Sequence, residues 1–129
     1  MPPEFLVDRS LGRYEVANAI RARGFAVHTL FEVYGAKEET LPDTVWLADA
    51  GRNGWPVLTA NPHIKRVRHE LAVVQAEAVR MFTLPRGNLT GRDQVARFLA
   101  NLDAIVQACQ RPGPYIYSVL PDRIELRWP

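Results

Sequence analysis

Short apolar runs alternate along the chain with longer stretches in which apolar residues recur every three or four positions. The short runs predict buried strands, and the periodic stretches predict amphipathic helices. The predicted strands cover residues 5–7, 25–30, 55–59 and 79–84, and the predicted helices cover residues 13–23, 43–52, 68–77 and 90–109. Because strand and helix alternate, the pattern predicts an α/β fold with a mainly parallel four-stranded sheet.

Two further segments complete the predicted architecture. Residues 33–42 contain Gly35 and the acidic pair Glu38-Glu39, and they are predicted to form a solvated loop. Beyond the break at Arg111-Pro112-Gly113-Pro114, residues 115–120 and 123–128 are predicted to form a C-terminal β-hairpin. A length of 129 residues predicts a single domain over residues 1–129.

Composition narrows the class of protein. A hydrophobic content of 47% is enough for a core, and no run is apolar for long enough to span a membrane. The N-terminus, Met1-Pro2-Pro3-Glu4, lacks the features of a signal peptide, and the single cysteine, Cys109, has no partner for an internal disulfide. A cytoplasmic protein is therefore expected. The net charge of +2 is only a weak indication of a nucleic-acid partner.

Asp8 and Asp43 are the first candidates for chemistry. Asp8 directly follows the first predicted strand, and Asp43 begins a predicted helix. Strand ends and helix starts collect along one edge of an open parallel sheet, where two carboxylates would suit a hard divalent cation. Each residue also has a structural explanation, Asp8 as a turn residue before Ser10 and Gly12, and Asp43 as a helix N-cap.

Two other polar residues are expected near the same edge. Asn61 follows the third strand, and its amide oxygen can bind a cation but brings no charge. Glu32 follows the second strand and is either a further acid of this edge or an exposed loop residue.

A basic run comes after the third strand. It consists of His63, Lys65, Arg66, Arg68 and His69. Such cations beside a metal would position and neutralise a phosphate backbone, although a solvated helix start is the commoner outcome for a run of charges. The histidines lack the spacing of a zinc pair, and Ser10 and Thr59 have no evident histidine base, so nucleophilic catalysis is not supported.

In this order and spacing, the segments resemble the PIN-like superfamily, especially its compact members related to VapC toxins. The motifs that carry the resemblance are Phe5-Leu6-Val7-Asp8-Arg9-Ser10-Leu11-Gly12, Arg23-Gly24-Phe25-Ala26-Val27, Pro42-Asp43, Val57-Leu58-Thr59-Ala60-Asn61-Pro62-His63-Ile64, Gly87-Asn88-Leu89-Thr90 and Arg111-Pro112-Gly113-Pro114-Tyr115-Ile116-Tyr117. The resemblance covers nearly the whole chain. It implies a three-layer α/β/α nuclease fold.

The resemblance also implies a function and a set of site residues. It implies an endoribonuclease that depends on Mg²⁺ or Mn²⁺, with Asp8 and Asp43 as metal ligands and Glu32 as a less certain additional acid. Its implied partners are RNA and a cognate antitoxin protein, and a homodimer is left open. The residues expected to contact the RNA backbone are Arg9, Arg13, Lys65, Arg66 and Arg68.

Asn61 departs from the family pattern, which has an aspartate at this position. Either the change is natural and leaves a weak or inactive enzyme, or it is an introduced Asp→Asn substitution. The leading hypothesis is a metal-dependent ribonuclease with catalytic residues Asp8, Asp43, Asn61 and Glu32. The rival is a catalytically silent module of the same fold that binds RNA or a protein.

Overall fold

A computed structural model describes residues 2–61, 67–85 and 89–129 of the chain. In these ranges the strands are β1 (Phe5–Val7), β2 (Val27–Thr29), β3 (Val57–Thr59), β4 (Arg80–Thr83), β5 (Tyr115–Val119) and β6 (Ile124–Trp128). The α-helices are α1 (Glu15–Arg21), α2 (Leu30–Tyr34), α3 (Asp43–Asn53), α4 (Arg68–Ala76), α5 (Gly91–Ala100) and α6 (Leu102–Ala108). None of the described helices is long and apolar enough to cross a membrane.

The strands form one mainly parallel sheet in the order β2-β1-β3-β4-β5-β6. Strands β1 to β5 pair in parallel, and β6 is antiparallel to β5. The α/β class and the parallel four-stranded core are therefore confirmed. The predicted hairpin is also present, but its strands extend the same sheet, so the described sheet has six strands rather than four.

Alternating side chains of the central strands enter two separate cores, which makes the fold three-layered. Phe5 and Val7 of β1 pack with α1, α5 and α6, whereas Leu6 packs with α2, α3 and α4 on the other face. The same alternation occurs in β4, where Phe82 joins the first core and Met81 the second. Strands buried on both faces are continuously apolar, which is why these segments stand out in the sequence.

Residues 33–42 are more ordered than the predicted loop. The short helix α2 begins with a capping box, in which Thr29 and Glu32 exchange side-chain and backbone hydrogen bonds. A 3₁₀ helix, Gly35–Glu39, follows it. The prediction of an irregular loop is wrong here because the local cap stabilises a helix too short to show apolar periodicity.

The predicted helix over residues 90–109 is two helices. Thr90 caps the first, as expected, because its side chain accepts a hydrogen bond from the backbone N–H of Asp93. The break is at Asn101, whose side-chain amide donates to the carbonyls of Arg97 at 2.9 Å and Leu120 at 2.7 Å. This buried amide ties the helix end to the turn between β5 and β6, and apolar spacing alone does not reveal it.

The strand order creates a switch point between β1 and β3. From β1 the chain first adds β2 on one side and then adds β3, β4 and β5 on the other. In open α/β sheets, ligands bind in the crevice beyond the carboxyl ends of the strands at such a point. Asp8 follows β1 there, and Ala60 and Asn61 follow β3.

Candidate metal centre

Asp8 is a buried carboxylate at the switch point. Its backbone N–H donates to the carbonyl of Leu58 at 3.0 Å, which continues the pairing of β1 with β3, and the residue is only 6% exposed. The 3₁₀ helix Arg9–Leu11 begins directly after it, so the turn explanation also holds. An isolated buried carboxylate is costly unless polar groups compensate it, and two hydroxyls do so here.

The hydroxyls of Thr59 and Ser10 hold the Asp8 carboxylate in place. Both donate to Oδ2 of Asp8, Thr59 at 2.7 Å and Ser10 at 2.9 Å. The backbone N–H groups of Ala60 and Asn61 donate in turn to Ser10 Oγ at 2.9 Å and Thr59 Oγ1 at 3.0 Å. Sequence reasoning considered these hydroxyls only as nucleophiles and missed their role as positioning groups for Asp8.

Asp43 is the first residue of α3, but it is not the helix N-cap. Pro42 occupies that position, and no side chain caps the helix. Instead, Oδ1 of Asp43 accepts a hydrogen bond at 3.0 Å from the indole N–H of the buried Trp46. The N-cap explanation of Asp43 is therefore wrong, since its carboxylate bonds the Trp46 side chain rather than a free backbone N–H of the helix.

Glu70 is a third acid of the site that sequence reasoning missed. It lies in the first turn of α4, with its carboxyl beside that of Asp43. Its Oε1 atom is buried without a hydrogen-bond partner among the described residues. In the sequence, Glu70 is marked only as an acid in the first turn of the helix that follows β3. The basic run directly before it makes this helix start look cationic.

Burial and like charge raise the pKa of two of these acids. The pKa of Asp8 is raised mainly by burial and further by the charge of Asp43, although the hydrogen bonds from Thr59 and Ser10 oppose the shift. The pKa of Glu70 is also raised mainly by burial, and then by the charges of Asp43 and Asp8. The three acids are therefore close enough to repel one another.

The chemistry of these donors fits a divalent cation. Carboxylate oxygens with an amide oxygen are the ligands that Mg²⁺ and Mn²⁺ prefer, and Asp8, Asp43 and Asn61 offer them. The buried, unpartnered oxygen of Glu70 adds an orphan acceptor beside them. In the described ranges, however, no three His, Cys, Asp or Glu side chains are already assembled as a complete metal-binding group.

Glu32 does not join these acids. Its Oε1 accepts a 2.6 Å hydrogen bond from Arg21 and serves the capping box of α2. Burial raises the pKa of the Glu32 carboxyl, but the hydrogen bonds from Arg21 and Thr29 outweigh it, so the net shift is downward. The structure thus gives it a local structural role.

The predicted RNA contacts are only partly described. Lys65 and Arg66 lie outside the described residues, and Arg68 is the exposed first residue of α4. Arg9 donates to the carbonyls of Glu38 and Glu39 at 2.9 and 2.6 Å.

Arg13 contacts both the Glu38 carboxylate and the aromatic ring of Phe31. It lies 3.8 Å from Glu38 Oε1 and 4.2 Å from the centre of the Phe31 ring. Glu38 itself is only 6% exposed, so the prediction that it is solvated is wrong. The chain encloses this acid because Arg9 and Arg13 fold over it.

Comparison with known proteins agrees with this architecture. The profile of the family described as "PIN like domain" matches residues 3–86, which include Asp8, Asp43, Asn61 and Glu70. A curated relative from Mycobacterium tuberculosis (strain ATCC 25618 / H37Rv), "Putative ribonuclease VapC45", is 35% identical over 119 residues, which cover 92% of this chain and 86% of the relative. No solved structure gives a significant match. On the family profile and on this relative, the chain belongs to the PIN-like domain family, among its VapC-related members.

Proposed function

We propose that this chain is a metal-dependent endoribonuclease and the toxin of a toxin–antitoxin pair, acting in the cytoplasm as a single domain. The observation that carries the proposal is the buried Asp8 carboxylate, which two hydroxyls orient at the switch point of the sheet beside Asp43. The name of the M. tuberculosis relative supports RNA as the substrate class.

In this mechanism, side chains of the protein bind the metal ion and orient its carboxylate ligand. Asp8 and Asp43 hold a Mg²⁺ or Mn²⁺ ion through carboxylate oxygens, and Asn61 contributes its amide oxygen. When bound, such an ion lowers the pKa of a coordinated water and neutralises charge on a phosphoryl group in the transition state. Thr59 and Ser10 keep the Asp8 carboxylate in one orientation, which limits the reorganisation needed to bind the ion.

Asp43→Asn is expected to reduce Mn²⁺-dependent cleavage of a fluorescent single-stranded RNA at least about tenfold, because the metal loses an anionic ligand. Asparagine has nearly the same shape and can still accept the hydrogen bond from Trp46, so the fold should persist. Cleavage rate measured with Mn²⁺, and with EDTA as the metal-free reference, provides the test.

Asp103→Asn is the matched control, since it makes the same change at an exposed position of α6. Its cleavage rate should equal that of the unsubstituted chain. Equal cleavage rates for Asp43→Asn and the unsubstituted chain would show that the reaction does not need the Asp43 carboxylate. RNA that binds but is not cleaved under any of these conditions would favour the silent binding module, which Asn61 makes the second candidate function.

We further propose that the basic run after β3 contacts the RNA backbone through Lys65, Arg66 and Arg68. Arg9 and Arg13 have partners within the chain, so we assign them a smaller part in binding. A cognate antitoxin is the proposed protein partner. A homodimer is the remaining proposed assembly, and light scattering after size-exclusion chromatography tests it.

Removing these cations is expected to lower the salt dependence of RNA binding. Each lost contact to single-stranded RNA should reduce the slope of log affinity against log salt by about 0.7. Fluorescence anisotropy with Lys65→Ala, Arg66→Ala and Arg68→Ala in an Asp8→Asn background keeps the RNA intact. Arg23→Ala, an exposed position just beyond the C-terminal end of α1, is the control and should leave the slope unchanged. Unchanged slopes for all three substitutions would assign RNA binding elsewhere.

A further inference from the structure

Asn61 leaves the proposed metal site short of one negative charge. With Asp8 and Asp43 as its only acids, the site would hold a divalent ion with two carboxylates and a neutral amide. Fewer anionic ligands offset less of the cost of dehydrating the ion. A nearby acid from another element could supply the missing charge without any change at position 61.

Glu70 is the acid that the fold brings to this place. The helix α4 packs beside α3, and this packing brings the Glu70 carboxyl next to that of Asp43. Glu70 is also within electrostatic reach of Asp8, although the two residues are far apart in sequence. Asp43, at the start of α3, therefore has one acid at the end of β1 and another at the start of α4 as its charged neighbours.

The Oε1 atom of Glu70 gives a second, independent indication that this residue binds a ligand. Oε1 is buried and has no hydrogen-bond donor among the described residues. A buried acceptor without a partner costs stability, and such a group in a native structure calls for a partner that the side chains do not supply, such as a water or an ion. None of the ion pairs found between described residues involves Glu70, Asp43 or Asp8. A bound cation would compensate all three.

Other acids near this edge are already engaged. Glu32 is held by Arg21 and Thr29, and the carboxylate of Asp49 accepts a 2.5 Å hydrogen bond from the hydroxyl of Tyr34. Glu38 also has a buried oxygen without a hydrogen-bond partner, Oε2, but its Oε1 lies 3.8 Å from Arg13, so a cation already faces this carboxylate. Glu70 is thus the described acid whose surroundings favour a role in the site.

We propose that Glu70 is a metal ligand of this site and supplies the third carboxylate that Asn61 does not provide. This inference rests on the proposed function, since it assigns a residue to the same metal site. It places the third acid on α4 rather than at the end of β3. The chain would then keep three anionic ligands despite the change at position 61.

Calorimetric titration of the full chain with Mn²⁺ tests this role without relying on activity. Glu70→Gln keeps the size of the side chain and removes its charge, so we expect Mn²⁺ affinity to fall at least about tenfold. Glu77→Gln makes the same change just beyond the other end of α4, where Glu77 pairs with Arg52, and it should leave affinity within about twofold. Adding Asn61→Asp to Glu70→Gln should restore much of the lost affinity, because it returns a carboxylate to the site.

Two further measurements keep the test decisive if Glu70→Gln does not fold. Glu70→Asp retains the charge on a shorter side chain and should bind Mn²⁺ with intermediate affinity. The rise in melting temperature on adding Mn²⁺ should be smaller for Glu70→Asp than for the unsubstituted chain, since an ion that binds less tightly stabilises the fold less.

The outcomes separate this inference from the proposed function. Unchanged affinity in Glu70→Gln, together with weaker binding in Asp43→Asn, would overturn the role of Glu70 and leave the metal site intact. Absence of Mn²⁺ binding by the unsubstituted chain, or binding that neither Asp8→Asn nor Asp43→Asn weakens, would overturn both. Loss of affinity in Glu70→Gln with rescue by Asn61→Asp would support both.

Discussion

Asp8→Asn is expected to abolish metal-dependent RNA cleavage and, in the metal-free protein, to stabilise the fold. The cleavage rate should fall about 100-fold or more, because the metal loses the ligand that Thr59 and Ser10 orient. The free energy of unfolding should rise by about 1 kcal/mol, since a buried charge next to another acid is removed. Asparagine can still accept a hydrogen bond from either hydroxyl. Urea unfolding in EDTA and RNA cleavage in Mn²⁺ measure the two effects.

The stability gain should depend on pH in a defined direction. The pKa of Asp8 is raised in the folded state from its usual value of 3.8, so the folded chain binds the proton more tightly than the unfolded chain does. The cost of ionising Asp8 is fully present above the raised pKa, and it disappears as pH falls below 3.8. The advantage of Asp8→Asn should therefore be largest near neutral pH and vanish in acid. A variant that is less stable at neutral pH would show that the fold needs the charge itself.

The parallel core is predictable from the sequence because its strands are buried on both faces. The segment Phe5–Val7 has no polar position and is followed directly by Asp8, and in Val57–Thr59 the apolar run ends at Thr59, at the edge of the sheet. Burial on both faces makes such runs conspicuous in a short chain. The position of Asp8 follows from the same pattern.

The missed features depend on contacts between distant segments. The break at Asn101 needs the carbonyl of Leu120, and the burial of Glu38 needs Arg9 and Arg13. The proximity of Glu70 to Asp43 depends on how α4 packs against α3. Apolar periodicity carries no information about such pairings, so these residues appear as ordinary polar positions in the sequence.

Asn61→Asp is expected to raise Mn²⁺ affinity about tenfold and to increase RNA cleavage, because it adds a carboxylate beside Asp8 and Asp43. Two hydrogen bonds hold the backbone at position 61. Its N–H donates to the hydroxyl oxygen of Thr59, and its carbonyl accepts a hydrogen bond at 2.8 Å from the hydroxyl of Thr83. The substitution therefore changes the side-chain charge on a fixed main chain.

The size of this gain depends on Glu70. If Glu70 already supplies the third carboxylate, aspartate at position 61 is a fourth acid, so the gain should be larger in Glu70→Gln than in the unsubstituted chain. In EDTA, Asn61→Asp should lower the free energy of unfolding, since it adds a like charge near the buried Asp8. Four chains give this double-mutant comparison: the unsubstituted chain, Asn61→Asp, Glu70→Gln and the variant with both substitutions. Calorimetry, RNA cleavage and urea unfolding are measured on each of them. Equal Mn²⁺ affinity with asparagine and aspartate at position 61 in both backgrounds would show that its side chain does not face the ion.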